Sequence, residues 1–162
     1  MNYVLIPLSN GKAFAKVDPE DAQLLSSRKW YLLEQDGHRR YAVANKGVGM
    51  HRVVMQAKPG QQLDHIDGDG LNNTKRNLRF ANTSENAFNA RLSKRNKSGV
   101  KGVHQFKVGN RYYWECNITA NGKRHRAVRA DFGEAVTWIT NKRRELHGQF
   151  ANMGLTPRES VQ

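Results

Sequence analysis

Residues 63 to 86 read LDHIDGDGLNNTKRNLRFANTSEN, and no other stretch limits the fold so tightly. Five asparagines, three aspartates and two glycines crowd a segment with too few apolar side chains to build a core of its own. Leu63 to Ile66 can be a strand and Asp67 to Lys75 is turn-rich. Asn77 to Ala81 is a second strand with Leu78 and Phe80 on one face. A helix follows, with Asn82 as N-cap and Glu85 at the capping-box distance. Phe88 and Leu92 lie one helical turn apart, and Asn86 sits roughly 200° around from Phe88, so burying Phe88 turns Asn86 toward the polar edge of the hairpin.

The rest of the chain sets the context. With 162 residues and 38% hydrophobic content, small modules joined by short linkers are favoured over one large core. Twenty-seven Lys and Arg stand against fourteen Asp and Glu, a net charge of +13 that attracts polyanions. The excess is concentrated, since residues 91 to 129 hold eleven basic side chains and one acid, Glu115. Cys116 is the single cysteine, which excludes an intramolecular disulfide and a zinc site of paired cysteines. No structural zinc is expected. The opening MNYVLIPLSN lacks the basic start of a secretion signal, and no run approaches the ~20 apolar residues of a membrane span. These features favour an intracellular protein without a membrane partner.

The expected fold class is α+β. YVLIPLSNGKAFAKV reads as two strands about Ser9-Asn10-Gly11, and DPEDAQLLSSRKW opens a helix with Asp18 as N-cap and Pro19 at its first position. Trp30 to Leu33 and Tyr41 to Ala44 form a strand pair across Asp36-Gly37, completing an N-terminal α+β scaffold over residues 1 to 58. MHRVVMQAKPG is a short helix or strand stopped at Pro59-Gly60. The polar ββα module covers 59 to 95. A sheet-and-helix domain covers 96 to 152, and a tail runs from 153 to 162.

Asp64 and His65 place a hard oxygen ligand beside a general base, although strand alternation aims them apart unless the strand end bends. Phosphodiester hydrolysis needs a deprotonated water and a cation that offsets charge on the leaving oxygen. Asp64 with the Asn86 amide oxygen makes an oxygen-only set suited to magnesium. Asn77, 12 residues after His65 and 9 before Asn86, is placed to fix the loop and hold the His65 ring. A calcium loop starting at Asp67 fails, because Asn72 stands where glycine is required and Leu78 where a bidentate acid is required. The competing bland reading is a turn-rich polar hairpin with no chemistry.

The spacing of Asp-His, NNTKRNLR and SEN resembles the HNH endonuclease family and its ββα-metal fold, over roughly residues 51 to 92. The family's first histidine falls at His65 and its central asparagine at Asn77. Asn86 takes the third place, where many members carry a second histidine, so the chain looks like the HNN variant of phage and intron-encoded nucleases. The resemblance implies that His65 activates water with Asn77 in support, and that Asp64 and Asn86 hold one divalent ion, Mg2+ or another such as Mn2+. It further implies a phage-encoded, homing-type enzyme acting on double-stranded DNA in a bacterial host's cytoplasm. His51, in MHRVVM, recurs in relatives of this type as an auxiliary position. Oligomeric state is left open. The rival function is a DNA-binding regulator whose nuclease module is inactive, motivated by asparagine at position 86.

Beyond the linker, 102 to 107, 111 to 119 and 124 to 130 alternate as three antiparallel strands joined at Val108-Gly109-Asn110 and Asn121-Gly122. Trp114, Cys116 and Ile118 share one face of the middle strand. Asp131 and Glu134 make a capping box for a helix with the apolar stripe Ala135, Trp138, Ile139 and Leu146, ended by Gly148. Tyr113, Glu115, Asn117 and Thr119 then face outward, where a sheet can lie in a major groove. SGVKGVHQF, WECNI and ELHGQFAN resemble the plant Apetala and ethylene-response-factor DNA-binding domain over about residues 98 to 152. On that resemblance Lys101, His104, Tyr113, Asn117, Thr119, Arg124 and Arg126 are the candidate DNA contacts.

Overall fold

The computed structural model describes residues 2–9, 11, 13–35, 39–89, 92–93 and 95–153. Asn10 of the first expected turn, the Asp36-Gly37 turn and positions 154–162 of the expected tail lie outside the described residues. The fold is mixed α+β, as the sequence indicates, and contacts divide it into two units, Met1–Thr83 and Ser84–Gln162.

In the first unit, β1 (Val4–Pro7) and β2 (Phe14–Val17) pair antiparallel. Helix α1 (Pro19–Ser26) follows, with Pro19 in its first turn, where the missing N–H costs nothing. Asp18 is the N-cap residue, but its carboxylate makes no cap bond. It instead accepts the Lys75 backbone N–H at 2.7 Å, tying the start of α1 to the polar segment. The next hairpin joins β3 (Tyr31–Gln35) to β4 (Arg39–Val43), and MHRVV resolves as a helix, α2 (Met50–Val54). Strands β5 (Leu63–His65) and β6 (Leu78–Phe80) pair with Asp64 opposite Arg79 and His65 opposite Leu78.

The polar segment does not build its own core. It contributes Leu71 and Leu78 to a cluster made mostly by Leu8, Val17, Leu25, Trp30, Met50 and Val54. Phe80, expected to share Leu78's face, is 45% exposed. Residue Lys16 on β2 straps the turn down: its N–H donates to the Leu71 carbonyl at 2.8 Å, and its own carbonyl accepts from Asn73 N–H at 2.7 Å. A loop with few apolar groups is thereby held by backbone hydrogen bonds to a scaffold that has them.

Helix α3 (Thr83–Phe88) opens at the division between units, and Asn86 belongs to the second. There β7 (Val103–Val108), β8 (Arg111–Ala120) and β9 (Lys123–Arg129) form an antiparallel sheet in that order. Helix α4 (Phe132–His147) packs on it. Val103, Cys116, Ile118, Ala135 and Ile139 are the buried core, with Trp114, Trp138 and Leu146 packed against it. Asp131 Oδ1 accepts the Glu134 N–H at 2.9 Å, the cap expected from their spacing. Gly102, at φ +80°, admits no side chain: a Cβ would lie 2.4 Å from the Asn117 carbonyl, beside the Asn117 N–H to Gly102 carbonyl bond of 2.7 Å. No helix among the described residues is long and apolar enough to cross a membrane.

Candidate active site

His65 is the last residue of β5 and is buried, 8% exposed. Its Nε2 lies 3.3 Å from Asn73 Oδ1. Asn73 is fully buried, and its Nδ2 reaches toward the Gly70 carbonyl at 3.5 Å, which aims Oδ1 at the imidazole. An amide oxygen can only accept, so this orientation makes Nε2 the protonated nitrogen and Nδ1 the one with the lone pair. Burial is the main influence on the ring and lowers its pKa, against smaller opposing effects of the Asn73 bond and of Asp67, Asp64 and Asp69. The neutral ring is the form a base requires.

Two further rings complete this wall. His51 on α2 meets His65 edge to face at 5.2 Å between centroids, and Tyr41 on β4 lies 6.2 Å from His51 and 6.1 Å from His65. Burial, then the proximity of His65 and Arg52, pushes His51 down to about 4. Its Nδ1 is buried and finds no hydrogen-bond partner among the described residues. Two glycines permit this packing. A Cβ on Gly49 would stand 2.5 Å from His51 Cε1, and one on Gly70 would stand 2.2 Å from the Arg40 carbonyl and 2.5 Å from Tyr41 Cδ1.

The turn below is held by carboxylates and amides. Asn77 Oδ1 accepts the Asp67 N–H at 3.1 Å, while its Nδ2 donates to Asp67 Oδ1 at 2.9 Å and to the Asn72 carbonyl at 2.8 Å. Asp67 Oδ2 accepts from Asn72 Nδ2, and Asp69 Oδ1 accepts the Leu71 N–H. The geometry therefore makes Asn77 a clamp on the loop that carries Asn73. Two of the three aspartates stabilise the turn.

Asp64 has different neighbours from His65. Arg79, directly across the hairpin, donates through Nε at 2.8 Å and Nη2 at 2.6 Å to the single oxygen Oδ2, and both side chains are nearly buried. Among the described residues no three His, Cys, Asp or Glu side chains gather at a metal-binding distance. A cation here would therefore rest on carboxylate and amide oxygens completed by water and phosphate, a set that fits magnesium. Asn86 is half-buried on α3. Sequence reasoning overlooked Asn73, Tyr41 and Arg79. Arg79 could have been found from hairpin register and Asn73 from the doubled asparagine, whereas Tyr41 carries no local signal.

Of the candidate DNA contacts, Thr119, His104, Arg124 and Arg126 are exposed on the sheet, and Tyr113 and Asn117 are half-buried. Arg124 Nε donates to Asn117 Oδ1 at 3.0 Å, and Arg126 pairs with Glu115. Lys101 differs: its ammonium donates to the Phe88 carbonyl at 2.9 Å.

Over 152 residues the chain is 32% identical to an uncharacterised HNH endonuclease of Acanthamoeba polyphaga mimivirus, covering 89% of this chain and 76% of that protein. The chain belongs to the HNH endonuclease family. A second relative, protein 3.8 of Escherichia phage T7, is 47% identical over 92 residues, or 57% of this chain and 74% of its own. No family model matches the chain. No solved structure matches it significantly.

Proposed function

We propose that this HNH protein is a divalent-metal-dependent endonuclease that hydrolyses phosphodiester bonds in duplex DNA, of the phage homing type. The observation that carries the proposal is a buried, neutral imidazole whose tautomer is set by a fully buried amide, on a strand where the preceding residue is a carboxylate. His65 Nδ1 takes a proton from the attacking water. Asn73 keeps the ring from turning, and Asn77 keeps the loop beneath Asn73 in place. Arg79 orients Asp64 by holding one of its oxygens.

Asp64 would help hold the metal ion, which when bound supplies positive charge at the scissile phosphate and leaving oxygen. The second unit supplies duplex binding. The exposed face bearing His104, Tyr113, Asn117, Thr119, Arg124 and Arg126 contacts phosphates and base edges in the manner of an Apetala-type sheet. The products are 5′-phosphate and 3′-hydroxyl ends.

The test is incubation of supercoiled plasmid with the full chain and magnesium, with and without chelator, alongside His65→Ala. Relaxation or linearisation that chelator abolishes and His65→Ala lacks is the expected result. A gel shift with no strand scission under any divalent ion would instead identify a non-catalytic DNA-binding regulator.

A further inference from the structure

The second unit contains a cationic cavity that the nuclease reading does not use. Arg143 and His147 are four residues apart on α4, hence on one face, and both are buried. Arg143 Nη2 donates to the Lys101 carbonyl at 2.6 Å, while its Nε, in a side chain only 2% exposed, finds no partner among the described residues. His147 lies flat on Phe88, 3.7 Å between centroids and 4° from parallel. Its Nε2 is 3.2 Å from the Thr119 carbonyl, and its buried Nδ1 also finds no partner among the described residues. Lys101 completes the set.

These three side chains, with Asn117, Thr119 and Ser84, line a cavity of about 400 Å³, and none of its lining residues is acidic. Burying cationic groups without a counter-charge is costly. That cost is visible in the ionisation of the groups: burial, with Arg143 nearby, pulls Lys101 down to about 8, and burial lowers Arg143 and His147 as well. A purely structural role accounts for one Arg143 nitrogen and for the Lys101 bond to Phe88. It leaves unexplained why the buried Arg143 Nε–H, a donor without a partner among the described residues, lies with the Lys101 ammonium at a cavity lined by no acid. An anion with several acceptor oxygens satisfies them together.

We propose that this cavity binds a phosphate group carried by a DNA strand. Lys101 and Arg143 supply the charge. The cavity is large enough for a phosphate with its attached sugar. The cavity stands on the second unit's geometry alone, whereas the DNA strand as the phosphate's source rests on the nuclease reading.

The test is a nuclear magnetic resonance titration of the full isotope-labelled chain with inorganic phosphate, against chloride at matched ionic strength, and then with a short duplex. Both phosphate and duplex should shift the His147 ring and Arg143 Nε–H signals saturably. Lys101→Met, which keeps the aliphatic stem, should weaken phosphate binding about tenfold. Absence of any saturable response to phosphate beyond chloride overturns the cavity as an anion site. A response to phosphate but none to duplex overturns the DNA strand as its source and assigns free phosphate. The His65→Ala chain should respond as the parent does, so a failure of the nuclease chemistry and a failure of the cavity are read separately.

Discussion

The two units handle charge in opposite ways. Residues 1 to 83 carry twelve Lys and Arg against eight Asp and Glu, while residues 84 to 162 carry fifteen against six. In the first unit the ions near the site are matched: Arg79 with Asp64, and Lys75 with Glu20 and Asp21. Its buried amides bond to His65, to Asp67 and to the loop backbone. There, charge and polarity fix geometry. In the second unit several cations project from an open sheet, and buried Arg143, whose Nε–H finds no partner among the described residues, lines a cavity without an acid. On the proposed function, chemistry at a reacting atom needs groups already held in position, whereas attraction to a polyanion needs only field, and that contrast sets the paired charges of the first unit against the open cations of the second.

The sharpest way to break this comparison is His65→Ala. Loss of a positioned general base should lower the single-turnover cleavage rate by roughly 10²–10⁴-fold while the gel-shift affinity stays within about twofold. If affinity collapses with the rate, the first unit also anchors the duplex and the division fails. Next in size is Asn77→Ala. It removes three hydrogen bonds from a nearly buried site and leaves Asp67 without two of its partners. Denaturant unfolding should show a loss of about 2–3 kcal/mol. A loss below ~0.5 kcal/mol would mean that the turn holds its shape without the clamp.

Much of the secondary structure within each unit is legible in the sequence. The strands of the second unit, the Asp131 cap and the apolar stripe of α4 follow from alternation, capping spacing and helical period, all local signals. The polar segment announces a hairpin by its turn residues, and the Asp64–His65 pair by its chemistry. What is not local is not legible. The Lys16 strap on the Leu71–Asn73 turn and the Asp18 bond to Lys75 join residues more than fifty positions apart. The hairpin also depends on a core built mostly by residues 8 to 54. Asp18 shows why: the N-cap position follows from Pro19, but which N–H its carboxylate accepts is decided by a distant loop.

The ring wall yields a prediction of intermediate size. His51 titrates near 4 in the folded chain and near 6.5 when unfolded, so as pH falls the unfolded state binds its proton first. Its contribution to stability is therefore complete above pH ~6.5 and is lost as pH falls toward about 4. His65 shifts in the same direction, and so does His147 in the second unit, so the difference between variants isolates the effect. His51→Leu should flatten the decline in unfolding free energy between pH 7 and 4.5 by about 2 kcal/mol, allowing for the ring's partial exposure. An unchanged slope would mean that the His51 ring is solvated rather than packed against His65.

The smallest effect sharpens the comparison from the other side. Arg124 is exposed, and its contact with Asn117 leaves other guanidinium donors for a phosphate. Arg124→Ala should cost only a few-fold in affinity at moderate salt. It should also lower the slope of log affinity against log salt by about one counterion, measured by fluorescence anisotropy across a salt series. Arg126→Ala acts on a cation already paired with Glu115, so its effect combines a lost phosphate contact with an acid newly unpaired on the same face. The cleavage rate of bound complex should be unchanged in both variants, because neither residue belongs to the unit that carries His65. A fall in that rate at constant salt slope would show that the sheet sets the register of the scissile bond as well as holding the duplex, and charge alone would no longer describe the second unit.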